Sequence, residues 1–372
     1  MEDRAGSYPY PGTVSQVNIL LLGRYEKLGA SSRYRSYQYV PYLQQLGHRI
    51  HVAPLLSDLY LRRLYARQSL PLLDVAASYV RRVFHLLRSG SYDLIWIEYE
   101  ALPWIPYSIE SFLQAGRTPY LVDLDDAVFH RYDLNPSRLI RSILGEKIDR
   151  VMRDAALVIA GNSYLAERAK KAGASQVAIL PTVVDLEKYP VVAIPKNEVF
   201  TVGWIGSPST VHYLSEIRGA LKTLSHKGAV RLVTIGADPG PLEGVSTEMR
   251  PWNEETEVEE MLKFDVGIMP LKDSPWERGK CGHKLIQYMA CSRPVVASPV
   301  GVNREIVEHG FNGFLATGSE EWMEALSTLK ANAPLRLAMG AAGRKKVEQS
   351  YCSRITAPRL ASLLADIMKG RS

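Results

Sequence analysis

The segment that decides the fold is Lys280-Cys-Gly-His-Lys-Leu-Ile-Gln-Tyr-Met-Ala-Cys-Ser-Arg-Pro-Val-Val-Ala-Ser-Pro-Val-Gly301, in which a helical pattern runs into an apolar one. Apolar residues recur at helical spacing over His283–Cys291, which predicts an amphipathic helix. The apolar run Pro294–Ala297 follows and predicts a short buried strand. A helix followed by a short buried strand is the repeating unit of a parallel sheet covered by helices.

The same alternation extends over almost the whole chain and predicts the α/β fold class. In the first half we predict strands at Val17–Leu22, Arg49–Pro54, Leu94–Glu98, Pro119–Asp123, Leu157–Ala160 and Val177–Leu180. Helices are predicted there at Ser36–Leu46, Leu70–Ser89 and Arg138–Arg153. In the second half the predicted strands are Phe200–Ile205, Arg231–Ile235, Val266–Pro270, Pro294–Ala297 and Gly313–Ala316. The predicted helices there are Val211–Ser225, Glu255–Leu262, His283–Cys291, Glu320–Lys330 and Leu335–Ser350.

The segment Leu186–Asn197 contains two prolines and little periodicity, which is typical of a linker. We therefore predict two Rossmann-like, doubly wound domains at 1–193 and 194–354. An amphipathic helix over 355–370 can pack back on the first domain or cover the second. Because ligands of open α/β sheets bind beyond the carboxyl ends of the strands, we expect a ligand cleft between the two domains.

The composition excludes several classes of protein. The chain has 372 residues, 46% of them hydrophobic and 23% charged, so it is neither disordered nor collagen-like, and it contains no apolar run long enough to span a bilayer. Cys281, Cys291 and Cys352 are too few for a disulfide framework and lack the spacing of a structural zinc site. Residues 1–14 read as a loose tail without a signal-peptide pattern. We expect a soluble cytoplasmic protein.

The net charge of +6 is concentrated at the start of the chain. Residues 1–92 contain twelve Lys or Arg and five Asp or Glu, which leaves the rest of the chain close to neutral. Such a basic region can attract nucleic acid, anionic lipid or phosphorylated small molecules, or it can be an ordinary solvated surface.

The loop Gly203-Trp-Ile-Gly-Ser-Pro-Ser-Thr210 joins a predicted strand to a predicted helix. Gly206 permits a tight turn, and Ser207, Ser209 or Thr210 can cap the helix, whose free N–H groups would then suit a phosphate. Many capped helices bind nothing, so the loop also fits a purely structural role. It is not a P-loop, because the required Gly-x4-Gly-Lys-Ser/Thr pattern is absent.

A second polar loop, within 271–290, is expected at the same edge of the sheet. Lys280 and Lys284 lie four residues apart and can present two ammonium groups to one diphosphate. Gln287 can hydrogen-bond vicinal hydroxyls such as those of ribose, and the carboxylate of Glu277 can accept from two sugar hydroxyls. The alternative is a solvated helix start with ordinary charges.

Two segments of the first domain carry further candidates. Arg33 and Arg35 follow a loop of small residues and can hold a phosphate. Asp123, Asp125 and Asp126 repel one another at the end of a strand, which indicates a divalent cation, a raised pKa, or neutralisation by loop amides and a neighbouring arginine. His130, seven residues after the first of them, can be a base or a histidine satisfied by its own loop.

Beyond these patterns, three segments resemble a known family. Lys280–Gly301, Glu305-Ile-Val307 and Gly310-Phe-Asn-Gly-Phe-Leu315 are similar to the donor-site helix, the next strand and the glycine turn of the family-4 retaining glycosyltransferases of glycosyl transferases group 1. Leu180-Pro-Thr-Val-Val-Asp185 and Gly203–Gly206 match more weakly. The resemblance implies a GT-B fold, in which the first domain takes the acceptor and the second takes the nucleotide-sugar donor.

The resemblance also implies roles for individual residues of the second domain. Donor binding would fall on Gly206, Ser207, Lys280, Lys284 and Gln287. The family has two glutamates eight positions apart at this helix, whereas here Gly279 and Gln287 occupy those positions. Glu277, two positions before the first, is therefore expected to contact the donor sugar in its place.

In the first domain, Asp125 and Asp126 occupy the loop in which the family often has a histidine, and together with Glu277 they are the catalytic candidates. Arg33, Arg35 and His130 are the candidates for acceptor or phosphate binding. The resemblance implies no bound metal and no cofactor other than the donor substrate itself.

The leading hypothesis is thus a retaining transfer of sugar from a nucleoside-diphosphate sugar to a carbohydrate or lipid-linked hydroxyl acceptor, in polysaccharide, glycolipid or glycoconjugate biosynthesis. The basic segment Tyr60–Arg67 suits peripheral contact with the inner face of a membrane. Alternatives are a nucleotide-sugar epimerase of the same fold and a non-catalytic sugar-nucleotide-binding or scaffold protein. Nucleic acid is not an expected partner, because the basic region lacks interleaved aromatic residues.

Overall fold

The structure is a computed structural model that describes residues 16–113, 118–192, 197–226, 230–240, 242 and 244–370. The predicted tail over 1–14 lies outside the described residues. The chain forms two compact units, of which the N-terminal unit comprises 1–183 with 353–372 and the C-terminal unit comprises 184–352. The division therefore falls between residues 183 and 184, and not after residue 193 as the sequence suggested.

The N-terminal unit is built on a parallel sheet in which the described strands run in the order β2-β1-β3-β4-β5-β6. These strands are β1 Asn18–Leu22, β2 Arg49–Val52, β3 Leu94–Glu98, β4 Tyr120–Leu124, β5 Leu157–Ala160 and β6 Val177–Ile179. β3, β4 and β5 are buried along their whole length, because helices cover both faces of a parallel sheet. Chain order reverses between β1 and β3, which is where ligands of such sheets bind.

The helices of this unit follow the strands in alternation. They are α1 Ala30–Arg35, α2 Val40–Gln45, α3 Asp58–Tyr65, α4 Leu72–Leu87, α5 Tyr107–Leu113, α6 His130–Asp133, α7 Arg138–Leu144, α8 Lys147–Arg153 and α9 Ser163–Lys171. Short 3-10 helices cover Tyr37–Tyr39 and Ser89–Ser91. The predicted helix 138–153 is wrong in one respect: α7 ends at Gly145, whose N–H bonds the Arg141 carbonyl, and α8 begins afresh.

The C-terminal unit has a second parallel sheet, in the order β12-β11-β10-β7-β8-β9. Its strands are β7 Phe200–Ile205, β8 Val230–Ile235, β9 Ser246–Arg250, β10 Val266–Met269, β11 Val295–Ala297 and β12 Gly313–Leu315. Chain order reverses here between β7 and β10, where Gly203 pairs with Gly267. β9 was not predicted, because its sequence Ser-Thr-Glu-Met-Arg is polar and it lies half-exposed at the edge of the sheet.

Helices pack on both faces of this sheet. They are α10 Arg218–His226, α11 Glu257–Met261, α12 Pro275–Arg278, α13 His283–Ala290, α14 Asn303–Ile306, α15 Gly318–Ala331 and α16 Ala333–Ser350. The core has two layers, since neighbouring strand residues face opposite sides: Val295 packs with Leu285 of α13, and Val296 packs with Leu326 of α15. This arrangement is the doubly wound architecture that the alternating sequence pattern predicted.

The start of the predicted linker belongs to the C-terminal unit. The Val184 N–H donates to the Tyr351 carbonyl at 3.1 Å, and Tyr189 is buried in the core of that unit, just after a 3-10 helix over Leu186–Lys188. Residues 193–196 of the predicted linker lie outside the described residues. The last helix, α17 Ser353–Lys369, groups with the N-terminal unit, where Thr356 hydrogen-bonds the Tyr39 hydroxyl at 2.8 Å.

Candidate functional site

The loops after β7 and β10 lie side by side, because these two strands are neighbours in the sheet. Gly206 and Ser207 follow β7, and the segment that leads into α13 follows β10. The Ile205 N–H donates to the hydroxyl of Tyr288, a buried residue of α13, at 2.9 Å. This bond fixes the end of β7 against the helix that carries Lys284.

Gly206 and Lys284, which sequence reasoning proposed as donor contacts, are neighbours in space. A Cβ atom at position 206 would lie 2.6 Å from the indole of Trp204 and 2.9 Å from Cε of Lys284, so a larger residue would require one of these side chains to shift. The Lys284 ammonium lies 5.2 Å from the centroid of the Trp204 ring, within the range of a cation–π contact. The structure thus brings a tight glycine turn and a half-buried cation together at the switch point of the sheet.

The turn after Gly206 differs from the prediction. The Ser207 carbonyl accepts from the Thr210 N–H at 2.9 Å, and the Ser207 and Ser209 hydroxyls are 2.8 Å apart. The element that follows is a 3-10 helix, Val211–Ile217, whose first turn has no side-chain cap, and α10 begins only afterwards. The capped α-helix expected from residue 211 is therefore wrong, and with it the argument from the free N–H groups of its first turn.

Glu277 lies on the short helix α12 and is buried, with Oε1 accepting from the Tyr213 hydroxyl and Oε2 from the Ser274 hydroxyl. Burial alone would raise the pKa of this carboxyl, but the two hydroxyl donors hold it below its ordinary value. Glu277 is thus a fixed carboxylate, and its backbone carbonyl accepts from the Lys280 N–H at 3.1 Å. Lys280 itself is half-buried.

Gln287 lies inside the unit, with 4% of its surface exposed. Its Nε2 donates to the hydroxyl of Tyr189 at 3.3 Å, and the Tyr189 carbonyl accepts from the Arg344 guanidinium at 2.7 Å. Sequence reasoning missed Tyr189, because it lies in the stretch that was interpreted as a linker. It also missed Trp252, which lies near the Gly206 carbonyl. A Cβ atom added at Gly236 would lie 2.6 Å from that carbonyl oxygen and 3.1 Å from the Cβ of Trp252.

In the N-terminal unit, Arg35 is an internal residue. Its Nε and Nη2 donate to Oδ1 of Asp123 at 2.9 and 2.7 Å, and its Nη1 donates to the Leu180 carbonyl at 2.8 Å. Both partners of the ion pair are buried. Because the buried carboxylate of Asp123 already satisfies the guanidinium, the structure favours a structural role for Arg35 over the predicted phosphate contact. Burial raises the pKa of Asp123 to about 6, although Arg35 acts against the rise.

Asp125 and Asp126 are half-buried beyond the end of β4. Asp125 accepts from the hydroxyl of Tyr99, a buried residue that follows β3 with a φ of 61°, and Asp126 Oδ1 accepts from the Ala127 N–H at 3.0 Å. A positive φ is rare outside glycine and concentrates at functional sites. Among the described residues no group of three or more His, Cys, Asp or Glu is placed to hold a metal ion. Tyr99 could not be recognised from the sequence, because no motif distinguishes it and its unusual backbone angle is visible only in the structure.

Arg33 and His130 both make hydrogen bonds to nearby residues of the N-terminal unit. Arg33 Nη1 donates to the Lys27 carbonyl at 2.9 Å, and its guanidinium lies 4.8 Å from the Tyr34 ring centroid. The two ring nitrogens of His130 lie 2.8 Å from an Asp133 carboxylate oxygen and 2.8 Å from the Tyr164 hydroxyl. These contacts fit the reading of His130 as a satisfied loop histidine better than that of a free base.

Residues 196–332 match the family model described as glycosyl transferases group 1. The matched stretch lies within the C-terminal unit. No curated protein matches the chain significantly in sequence. The match covers the Gly206 turn, Glu277, the two lysines and Gln287, and thus all the donor-site residues that the sequence indicated.

Solved structures show that the whole chain has the GT-B fold. Sucrose-phosphate synthase from Thermosynechococcus elongatus is 15% identical, with a TM-score of 0.73, over 95% of this chain and 100% of that one. HepE from Anabaena, solved in complex with UDP, is 19% identical, with a TM-score of 0.64, over 94% of this chain and 100% of that one. A glycosyltransferase from Rickettsia africae is 12% identical, with a TM-score of 0.67, over 95% and 99%.

Proposed function

We propose that this protein is a glycosyltransferase that moves a sugar from a nucleoside-diphosphate sugar to a hydroxyl acceptor with retention of configuration, in polysaccharide, glycolipid or glycoconjugate assembly. The observation that carries the proposal is the packing of Lys284 over Gly206 at the switch point of the group 1 domain. A glycine without a side chain beside a half-buried ammonium suits a diphosphate, because phosphate oxygens can approach the backbone closely there and the cation can reach them.

The proposed chemistry follows from where charge develops. The bond between the anomeric carbon of the sugar and the phosphate oxygen breaks, and the bond to the acceptor oxygen forms on the same face. The departing diphosphate gains negative charge, which Lys284 and Lys280 stabilise. The proton of the acceptor hydroxyl goes to the departing phosphate oxygen, so the step balances without a protein nucleophile and without a metal.

Glu277 and Gln287 are the proposed contacts to donor hydroxyls. Glu277 is held as a carboxylate by Tyr213 and Ser274, so it can only accept hydrogen bonds, and sugar hydroxyls are donors. Gln287 lies one turn after Lys284 on α13 but is buried, with its Nε2 on the hydroxyl of the equally buried Tyr189, so contact with a ribose hydroxyl requires the ligand to open this pair. In the N-terminal unit, Asp125, oriented by Tyr99, is the proposed contact to the acceptor hydroxyl, with Asp126 and Arg33 beside the acceptor.

A uridine nucleotide is the proposed donor to test first, since HepE was solved with UDP and with UDP-glucose. The test is the thermal stabilisation of the purified protein by UDP, GDP, dTDP, ADP and their sugar conjugates, because a ligand that binds only the native state raises the melting temperature. We expect a rise with one nucleotide class. Turnover of the selected donor with added saccharide acceptors, followed by NMR of the anomeric proton of the product, then tests transfer and retention. Equal rates with and without EDTA are expected.

A non-catalytic sugar-nucleotide-binding protein is the second candidate, favoured by the full engagement of both Glu277 oxygens with protein hydroxyls. That candidate predicts stabilisation by a nucleotide sugar without turnover under any acceptor. A nucleotide-sugar epimerase predicts conversion of the donor in the absence of any acceptor. The absence of stabilisation by every nucleotide would reject all three.

A further inference from the structure

The outer face of α4 carries apolar side chains that no other described element covers. The α4 stripe consists of Leu73, Ala77, Val80, Phe84 and Leu87. Spacings of four and three residues place these side chains on one face of the helix. Leu73 is 89% exposed, Val80 71% and Leu87 59%, whereas the opposite face buries Arg82 and Leu86. The apolar stripe of this helix therefore lies on the face opposite to its buried residues.

The helix before α4 also exposes apolar side chains. Leu59, Leu64 and Tyr65 of α3 are exposed, as is Leu70 in the connection. The Ser57 hydroxyl at the start of α3 donates to Asp74 in the first turn of α4 at 2.6 Å, which holds the beginnings of the two helices together. Contiguous exposed apolar patches on monomers mark interaction sites.

The charged side chains of this stretch are mostly basic. Between Leu59 and Tyr92 the sequence has six arginines and one acid, Asp74, whose carboxylate is engaged by Ser57. Of the arginines, Arg82 is buried. Those that reach the surface are Arg62, Arg63, Arg67, Arg81 and Arg88. The Arg88 guanidinium lies 4.0 Å from the centroid of the Phe84 ring, so a cation lies directly beside an apolar residue of the stripe.

We propose that this surface, formed by the α4 stripe with Arg81 of α4 and the adjoining Arg88, binds the face of an anionic lipid bilayer. Leucine and phenylalanine side chains enter the boundary between headgroups and acyl chains, while the arginines bind lipid phosphates. A second copy of the chain fits less well, because a two-fold contact would set arginine against arginine. Among the described residues no helix is long and apolar enough to span a membrane, so the proposed contact is interfacial. It is independent of sugar transfer.

Cosedimentation of the full chain with vesicles tests the proposal. We expect binding to vesicles of equal parts phosphatidylglycerol and phosphatidylcholine, weak binding to phosphatidylcholine alone, and loss of binding at high salt. Leu73→Gln/Phe84→Gln/Leu87→Gln should lower the partition coefficient by more than about tenfold, and so should Arg81→Gln/Arg88→Gln. Lys170→Gln/Lys171→Gln on α9 removes the same charge from other exposed positions and should bind as the wild type does.

Several results would overturn the proposal. These are equal binding to neutral and anionic vesicles, unchanged binding of the arginine variant, and equal losses in the arginine and lysine variants. A dimer in the absence of vesicles that the triple variant dissociates, without vesicle binding by the wild type, would assign the stripe to a second copy. The arginine variant changes only exposed side chains, so it keeps the test decisive if the triple variant does not fold.

Discussion

The two units place charged residues at the same edge of similar sheets but use them differently. In the N-terminal unit the cations are buried with carboxylates: Arg35 pairs with Asp123, and the Lys147 ammonium lies 2.7 Å from Glu100 and 3.2 Å from Glu110. In the C-terminal unit Lys284 is half-buried and packs its stem on a glycine and a tryptophan.

Basic side chains therefore have two roles here: buried ones stabilise the fold, and half-buried ones are candidates for ligand binding. A buried guanidinium that makes a salt bridge contributes to the integrity of the fold, and removing it leaves an uncompensated charge. A cation beside a bare backbone turn can still reach a ligand. Charge and spacing alone therefore did not distinguish Arg35 from Lys284, whereas burial does.

The largest effect should come from breaking the buried pair. Arg35→Ala leaves Asp123 buried without its partner and should lower the free energy of unfolding by about 3–5 kcal/mol. Arg33→Ala, which removes a half-exposed guanidinium two positions away, should cost less than about 1 kcal/mol. Urea denaturation of the two variants compares them, and equal stabilities would contradict a structural role for Arg35.

A methyl group at the glycine turn should be the next most damaging change. Gly206→Ala places a Cβ against the buried Trp204 ring and the Lys284 stem, so we expect a stability loss of about 1–3 kcal/mol and a donor affinity reduced about tenfold. Gly90→Ala, where a Cβ would meet nothing within 4 Å, is the matched control. Calorimetric titration of the nucleotide measures both affinities. Equal affinities of the Gly206→Ala and Gly90→Ala variants would contradict a role for Gly206 in donor binding.

The Tyr99 hydroxyl is expected to position Asp125. Tyr99→Phe keeps the buried ring but removes the donor, so kcat should fall about tenfold while the KM for the donor stays unchanged. Tyr107→Phe, which removes a hydroxyl from Asp154 2.7 Å away, should leave both constants unchanged. A fall in donor affinity with unchanged kcat would contradict the proposal that Tyr99 positions the acceptor contact Asp125.

The smallest effect concerns pH. Burial raises the pKa of Glu98 from 4.5 to about 7, against hydrogen bonds from Arg24 N–H and from Ser32 and Ser36. Because the folded chain holds this proton more tightly than the unfolded chain, its contribution to stability is full at low pH and is lost as pH rises from about 4.5 to about 7. Glu98→Gln should flatten that decline in melting temperature. An unchanged slope would contradict the raised pKa.

Continuous apolar runs made most of the fold predictable. Leu94–Glu98, Leu157–Ala160 and Phe200–Ile205 are strands with the predicted bounds, because strands of a covered parallel sheet are buried on both faces. The same logic failed where burial is partial: Ser246–Arg250 is an edge strand with no apolar signal.

The site was predictable only where a local segment builds it. Lys280, Lys284 and Gln287 share one loop and helix, so spacing indicated them together. The pairing of Arg35 with Asp123 joins residues 88 positions apart, and that of Gln287 with Tyr189 joins residues 98 positions apart. Such contacts depend on sheet order and helix placement, which the local sequence pattern does not specify.

The central claim is that Lys284 binds the diphosphate of a nucleotide at the Gly206 turn. Calorimetric titration of the preferred nucleoside diphosphate into the wild type, Lys284→Ala and Lys272→Ala tests it, because Lys272 is exposed in the same segment and its removal changes the charge equally. We predict that Lys284→Ala weakens binding by more than about tenfold and that Lys272→Ala leaves it unchanged. Equal affinity of Lys284→Ala and the wild type, with both folded, would contradict the account.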